Sequence, residues 1–426
     1  MKIIQNWGYG GDRITPKNIN GMYMIHGNRM EVGTRAFPGM TEYLPETIAH
    51  IRHSDYRPKR SLVVAMTTPL ITHATLYNNG LYQNILILYK LIASLGHTPY
   101  LIVTSEPTPD TADLLLDGGY TCITPEGVIR NGLSIDVHIE VGMAVDSSFT
   151  RYLRTKGTRL AKYYLGNIIN IDVEIITTVQ SVTFPHHCPG TLDELWTSPH
   201  YAQNIDYMCS LYRLPFSKGI VAPYVWEPMF LSGGLKAPSA DEQAWIARDL
   251  VITEPNISFQ KSCLVPLLLA ERFAKVYPAW RGRVVLMNSH RFATNTHAKA
   301  VLESLALHRA GRIAYRGRQT IREIMEQNLG ACFICHQVNN EYNYMALELM
   351  YSGFPVLHNA SVWSAFGYYW SDEAIDSAVA KLYSVLQTHS ADGVYRADGR
   401  QLAWLYSIYN PEVRQAWGRL LDGEGV

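Results

Sequence analysis

The sequence predicts an α/β fold of two doubly wound, Rossmann-like domains in tandem. Three observations carry this. Short apolar runs alternate with segments of helical spacing from residue 61 onward. The alternation restarts after a Gly/Pro/Ser-rich stretch, GGLKAPSADEQA. Such strand–helix–strand units imply parallel sheets with right-handed crossovers. The chain has 426 residues, a length suited to two ordinary domains.

Residues 1–60 precede this pattern as an irregular extension rich in Gly, Asn, Met and Tyr. They hold nine Lys/Arg against five Asp/Glu. The first domain is expected over residues 61–235. There SLVVAMTT reads as a strand, PLITHATLYNNG as a loop, and LYQNILILYKLIASLG as a helix ending at Gly96. TPYLIVTS is the next strand. SIDVHIEVGMAVD is a strand running into a loop, RLAKYYLGNIINI a strand and turn, and GIVAPYVWEPMFL a strand leading out of the domain.

The second domain is expected over 236–385. It starts at the strand LVITEPN, followed by the helix SCLVPLLLAERFAKVY. Then come RVVLMN (strand), HAKAVLESLALHRAG (helix), RIAYRG (strand), TIREIMEQ (helix), ACFICHQ (strand), YNYMALELMYSG (helix) and FPVLHN (strand). Residues 386–426 form a C-terminal helical segment. Ligands of such folds sit beyond the carboxyl ends of the strands, and the cleft between two such domains is the default site.

Composition excludes several classes. Lys plus Arg and Asp plus Glu are both 37, so no global field draws the chain to nucleic acid or membrane. No apolar run approaches a membrane span, and the N-terminus has no apolar core of a secretory signal. The six cysteines are scattered, which fits a reducing, cytoplasmic setting. Cys332-Phe333-Ile334-Cys335-His336 has the C-x-x-C-H spacing of c-type haem attachment. With no export segment and no second Cys/His pair at ligand spacing, the run reads as a buried parallel strand. His186-His187 has no partner at metal spacing and reads as loop. No D-x-D motif stands at a strand end, so no metal ligands are assigned.

The most informative stretch is His336 to Asn359, HQVNNEYNYMALELMYSGFPVLHN. Glu348-x4-Gly353-x-Pro355-Val356 resembles the nucleotide-sugar motif of GT-B glycosyltransferases of the glycogen-synthase-like kind. The resemblance implies a GT-B fold with two parallel sheets facing a central cleft that closes by domain rotation. It implies that Glu348 holds the donor ribose; a carboxylate can accept two hydroxyls at once. It also implies a helix N-terminus offered to the diphosphate. In that family a second Glu often lies eight positions earlier; here the position is Asn340, with Glu341 beside it. Segments across residues 61–385 also resemble a bacterial and viral family described only as glycosyltransferase-like, of unknown function. That family carries a Ser-His-Gln-type sequence where this chain has Cys335-His336-Gln337.

The implied activity is transfer of a hexose or pentose from a nucleotide-diphosphate sugar, UDP-sugar favoured, to an acceptor hydroxyl. The nucleotide sugar is a co-substrate; no tightly bound cofactor is expected. The donor residues implied are Glu348, Lys261, Arg316, Arg318, His336, Asn340, Glu341 and Asn343. A cation at Lys261 would offset the charge growing on the leaving diphosphate. By position near strand ends, His73, Glu140 and Asp146 are the candidate acceptor bases.

Two basic runs with interleaved aromatics, Arg151–Tyr164 and His308–Glu323, are compatible with a phosphate backbone. Some viral glycosyltransferases of this fold modify hydroxymethylated bases in DNA. The acceptor is therefore a glycan or a hydroxymethyl pyrimidine in DNA, the latter needing base flipping. A non-catalytic shell that binds a nucleotide or sugar is the alternative, on the absence of the first Glu.

Overall fold

A computed structural model describes residues 56–178, 192–231, 245–371, 374–390 and 393–424. Most of residues 1–60, the pair His186-His187 and the whole Gly/Pro/Ser-rich stretch lie outside these. The described chain forms two compact units. The first takes residues 56–227 and returns for 404–424; the second takes 228–403.

The first unit holds a seven-stranded parallel sheet. Its strands are β1 (Val63–Thr67), β2 (Thr98–Ile102), β3 (Cys122–Ile123), β4 (Val137–Glu140), β5 (Arg159–Tyr164), β6 (Glu194–Thr197) and β7 (Gly219–Val221). The order is β3-β2-β1-β4-β5-β6-β7. Each partner runs parallel, as Val63 opposite Thr98 and Val64 opposite Val137. Val64, Ala65 and Met66 are buried, as a strand covered on both faces requires.

Local chemistry sets the elements between the strands. Asn79 accepts the Leu81 N–H and starts helix Gly80–Ser94, whose residues Ile85 to Leu88 are buried. Gly96 ends this segment at φ +91°, a conformation that favours glycine. Thr124 caps helix Pro125–Asn131 through the Gly127 N–H.

The second unit holds a six-stranded parallel sheet. Its strands are β8 (Leu250–Ile252), β9 (Val284–Leu286), β10 (Ile313–Tyr315), β11 (Cys332–Cys335), β12 (Val356–His358) and β13 (Tyr368–Tyr369), in the order β10-β9-β8-β11-β12-β13. Its core gathers Leu250, Ile252, Leu267, Phe273, Trp280 and Ile334. Cys332 and Cys335 are both buried within β11, which pairs with β8 and β12. Burial pushes the Cys332 thiol up to about 12.

Three expectations differ from what is observed. The turn after β5 is helix Ile168–Thr178: Asn167, which reads as a turn residue, bonds the Asn170 N–H and starts it. The helix expected across residues 297–311 is broken at Leu305 (ψ 136°). Leu305 turns into the core, and the Glu271 carboxylate accepts the Ala306 and Leu307 N–H groups at 2.7 and 3.0 Å. The C-terminal helices do not stand apart as one segment. Helix Val394–Leu405 lies mostly in the second unit and helix Pro411–Leu421 in the first. Trp417 is fully buried there against Tyr163 and Trp196, and its indole N–H bonds Pro223 O at 3.0 Å. The buried Glu227 accepts the Ser407 hydroxyl and the Ile408 N–H.

In the second unit the Gly353-Phe354-Pro355 turn is held by a phenol. Tyr395 Oη donates to Phe354 O at 2.8 Å and accepts the Val356 N–H at 3.1 Å. Pro355 has no N–H of its own to give. Tyr395→Phe should therefore lower stability by about 1–2 kcal/mol, because both backbone groups lose a partner. Urea denaturation of the two proteins checks this.

Candidate functional site

In a sheet of this order the crossovers leave in opposite directions from two adjacent strands, and their loops part to leave a crevice. In the second unit those strands are β8 and β11. Glu254 stands just past the end of β8 and is fully buried. Its carboxylate accepts the His336 N–H at 2.8 Å and the Gln337 Nε2–H at 3.1 Å. It thus ties together the ends of the two parting strands. Gln337 passes the link on: its N–H donates to Asn359 Oδ1 at 3.0 Å, and its carbonyl accepts Asn359 Nδ2 at 2.7 Å. Its side-chain oxygen accepts from Asn340 Nδ2. The ends of β8, β11 and β12 therefore share one polar network.

The charges here are not neutralised in the usual way. Burial pushes the Glu254 carboxyl up to about 8, against the lowering effects of the His336 N–H, Lys261 and Gln337. Lys261 lies in the loop that follows β8. Burial pulls its ammonium below the usual lysine range; Glu254 works against that shift and the Arg318 guanidinium adds to it. Glu254 and Lys261 interact without forming an ion pair. Arg316 and Arg318 are exposed just past the end of β10. Lys261 and Arg318 are thus two cations close enough to disfavour each other at the carboxyl end of the sheet. Such a pair is relieved by an anion.

The remaining sequence-derived residues of this unit lie along the loop and helix after β11. His336 is buried and stacks at a tilt on Trp370, centroids 5.7 Å apart. Asn343 caps helix Tyr344–Tyr351 by accepting the Met345 N–H at 3.0 Å. Glu341 accepts the Ser361 hydroxyl at 2.7 Å. Glu348 sits within that helix and is only 3% exposed. Gly353 ends the turn at φ +85°. Its carbonyl accepts from His389 Nε2 at 3.2 Å. Burial pulls that imidazole down to about 4, so it is neutral and its Nδ1 accepts the Tyr368 hydroxyl.

Sequence reasoning passed over Glu254, Gln337 and Asn359 as site residues. The signal for Glu254 is a charged residue directly at the end of the apolar run LVIT.

In the first unit the parting strands are β1 and β4. The Thr67 hydroxyl joins them, donating to Met143 O at 2.7 Å and accepting the Val141 N–H at 2.9 Å. Gly142 lies against this joint: a Cβ there would meet Ile85 at 2.8 Å and Thr67 O at 3.3 Å. Glu140 is buried at the end of β4 and pairs with the buried Lys162 of β5 at 3.2 Å. Asp146 is the cap of helix Ser147–Thr155 and accepts the Ser148 N–H at 2.7 Å. The Ser148 hydrogen bonds hold its carboxyl below the usual range. His73 is exposed, its Nε2 3.2 Å from Asp117 Oδ2 and its N–H bonded to Asp113.

The basic runs are largely occupied by structural contacts. Arg154 pairs with Asp193, and Arg159 bonds the carbonyls of Leu420 and Leu421. Arg312 bonds Gly282 O and stacks on Trp280, and Arg322 pairs with Glu326.

Residues 64–421 match the model of a family described as "Protein of unknown function (DUF2827)". No curated protein matches the chain. A glycosyltransferase from Rickettsia africae ESF-5 superposes with a TM-score of 0.54 at 13% identity, over 85% of this chain and 99% of that one. Anabaena Alr3699/HepE, solved in complex with UDP-glucose, gives 0.52 at 8% identity, over 83% and 98%. A mutant of S. aureus TarM, solved with Fondaparinux, alpha-GlcNAc-glycerol and UDP, gives 0.53 at 8% identity, over 84% and 99%. These likenesses establish the fold, that of the GT-B glycosyltransferases with its two Rossmann-like sheets. Among the described residues no helix is long and apolar enough to cross a membrane.

The buried Glu140–Lys162 pair makes a stability prediction. Lys162→Met leaves a carboxylate buried without its cation and should cost about 3–5 kcal/mol. Adding Glu140→Leu should recover most of the loss, as read by urea denaturation.

Proposed function

The chain belongs to the DUF2827 family, and we propose that it is a glycosyltransferase taking its sugar from a nucleotide-diphosphate donor, UDP-sugar favoured. The observation that carries the reading is the cation pair Lys261 and Arg318 at the carboxyl end of the second sheet, in the same unit as Glu348 and the Gly353-x-Pro355 turn. A diphosphate would be attracted by both cations and gain from the N-terminus of helix Tyr344–Tyr351. As the bond from sugar to diphosphate breaks, negative charge grows on the departing oxygen. Lys261, held largely out of water, would stabilise that charge more than an exposed lysine can. Glu348 would accept the ribose hydroxyls. Arg316, His336, Asn340, Glu341 and Asn343 border the same loops as further donor contacts.

The acceptor is a hydroxyl group, and a glycan is favoured over a DNA base. The case for DNA rested on two basic runs, and Arg154, Arg159, Arg312 and Arg322 within them are spent on contacts inside the protein. Of the three proton-acceptor candidates in the first unit, Glu140 is paired with Lys162 and Asp146 caps a helix. His73 keeps an exposed ring and is the strongest of the three for a general base. Its partner Asp117 would orient the ring and steady the imidazolium that forms.

Titration calorimetry with UDP tests the donor site. The wild type should bind, and Glu348→Ala should weaken binding by about 1.5–3 kcal/mol, the range of a charge-assisted hydrogen bond. Lys261→Ala should weaken it by a similar amount. Unchanged affinity in both variants would remove this site from consideration. Binding of UDP with no turnover of any UDP-sugar would favour a binding protein over an enzyme.

A further inference from the structure

Glu254 has no task in the donor reading, and a carboxylate beside a diphosphate site works against the ligand. Its placement is nevertheless the most constrained in the unit. It is fully buried, both oxygens accept N–H groups from the β11 end, and it faces Lys261. We propose that Glu254 is the positioning residue of the diphosphate end, fixing the β11 loop, and that where it is ionised it balances Lys261 in the empty site and takes up a proton when the anion binds. The inference rests on the reading that a diphosphate occupies this end.

The geometry supports the positioning half. The Glu254–Gln337 contact continues to Asn340 and Asn359, and the Val338 N–H bonds Gln260 O at 2.9 Å, so the loop after β8 and the loop after β11 are tied together. The charged and titratable groups around Glu254 are few. Lys261 faces it from the loop after β8, Cys263 from the start of helix Leu264–Val276, and Cys335 from β11. Both thiols are raised by burial and stay neutral. Arg318 reaches it through Lys261.

Above about pH 8 the empty site holds Glu254 as a carboxylate, which favours the ammonium of Lys261. When a diphosphate arrives it takes over that role, and its own charge disfavours the carboxylate. Because the Glu254 carboxyl stands near 8, it is already largely protonated at neutral pH, and uptake on binding belongs to the range near and above pH 8. The sign follows from linkage. The raised acid is protonated below about pH 8, where the anion meets only the cations. Above that pH the carboxylate opposes the anion, so binding weakens as pH rises.

The test uses inorganic pyrophosphate as the probe, with calorimetric affinities from about pH 7 to about pH 9. Wild type is compared with Glu254→Gln, and the same comparison is repeated in a Lys261→Arg background, whose cation does not titrate. The ratio of the two affinities cancels the titration of pyrophosphate itself. In the arginine background Glu254→Gln should bind up to roughly tenfold more tightly than its parent at about pH 9, with the advantage vanishing or reversing near pH 7. A merely structural glutamate predicts weaker binding by one constant factor at every pH, and that result would overturn the proposal.

If Glu254→Gln does not fold, the wild type alone decides. Proton uptake on binding at about pH 9, measured in two buffers of different ionisation enthalpy, supports the proposal, and none refutes it. Pyrophosphate binding with no UDP binding would count against the donor reading and leave Glu254 tested. UDP binding without the pH signature would do the reverse. No binding of pyrophosphate overturns the proposal.

Discussion

The second unit depends on the parting of β8 and β11. These strands lie side by side in the sheet, yet 79 residues lie between Ile252 and Cys332, and their crossovers leave in opposite directions. Backbone groups at such a divergence lose their neighbours in the ladder. Glu254 gives one of those groups, the His336 N–H, a partner, and its other oxygen holds the Gln337 side-chain amide. Because it does so at the end where the loops open, the same carboxylate that closes the sheet also sets the electrostatics of the opening. Lys261, Gln337, Asn340 and Asn359 take their positions or their charge from it.

The two units meet the same topological problem with different chemistry. At the β1/β4 divergence the bridge is the neutral hydroxyl of Thr67, and the neighbouring carboxylate, Glu140, is answered by Lys162 at 3.2 Å. At the β8/β11 divergence the bridge is itself a carboxylate, and the nearby lysine stays outside ion-pair distance. The first arrangement is internally neutral. The second holds charge in reserve, which suits a ligand that brings its own. That contrast favours the second unit in the proposal of an anionic donor.

Much of this was legible in the sequence, and the limits have physical causes. The strands β1, β2, β8, β9 and β11 show as apolar runs because parallel sheets bury both faces. Glu348 and Gly353 show because one motif encodes a helix, a left-handed residue and a strand start within ten positions. Features that depend on distant partners do not show. The break at Leu305 needs Glu271 as its cap, and the docking of helix Pro411–Leu421 needs Trp196 and Pro223. Arg159 and Arg312 look like a basic surface until the carbonyls they bond are placed beside them. Asp146 sits where an acceptor base would, and only the Ser148 N–H reveals it as a cap. Glu254 is one carboxylate after four apolar-run residues; its importance lies in what β11 brings to it.

Hydrogen exchange read by mass spectrometry, with and without UDP, tests the central claim most directly. The account predicts slower exchange in the peptides covering residues 254–264 and 336–348, since UDP would hold the two loops that Glu254 joins. Protection confined to the first unit, or none in these two segments at saturating UDP, would contradict it.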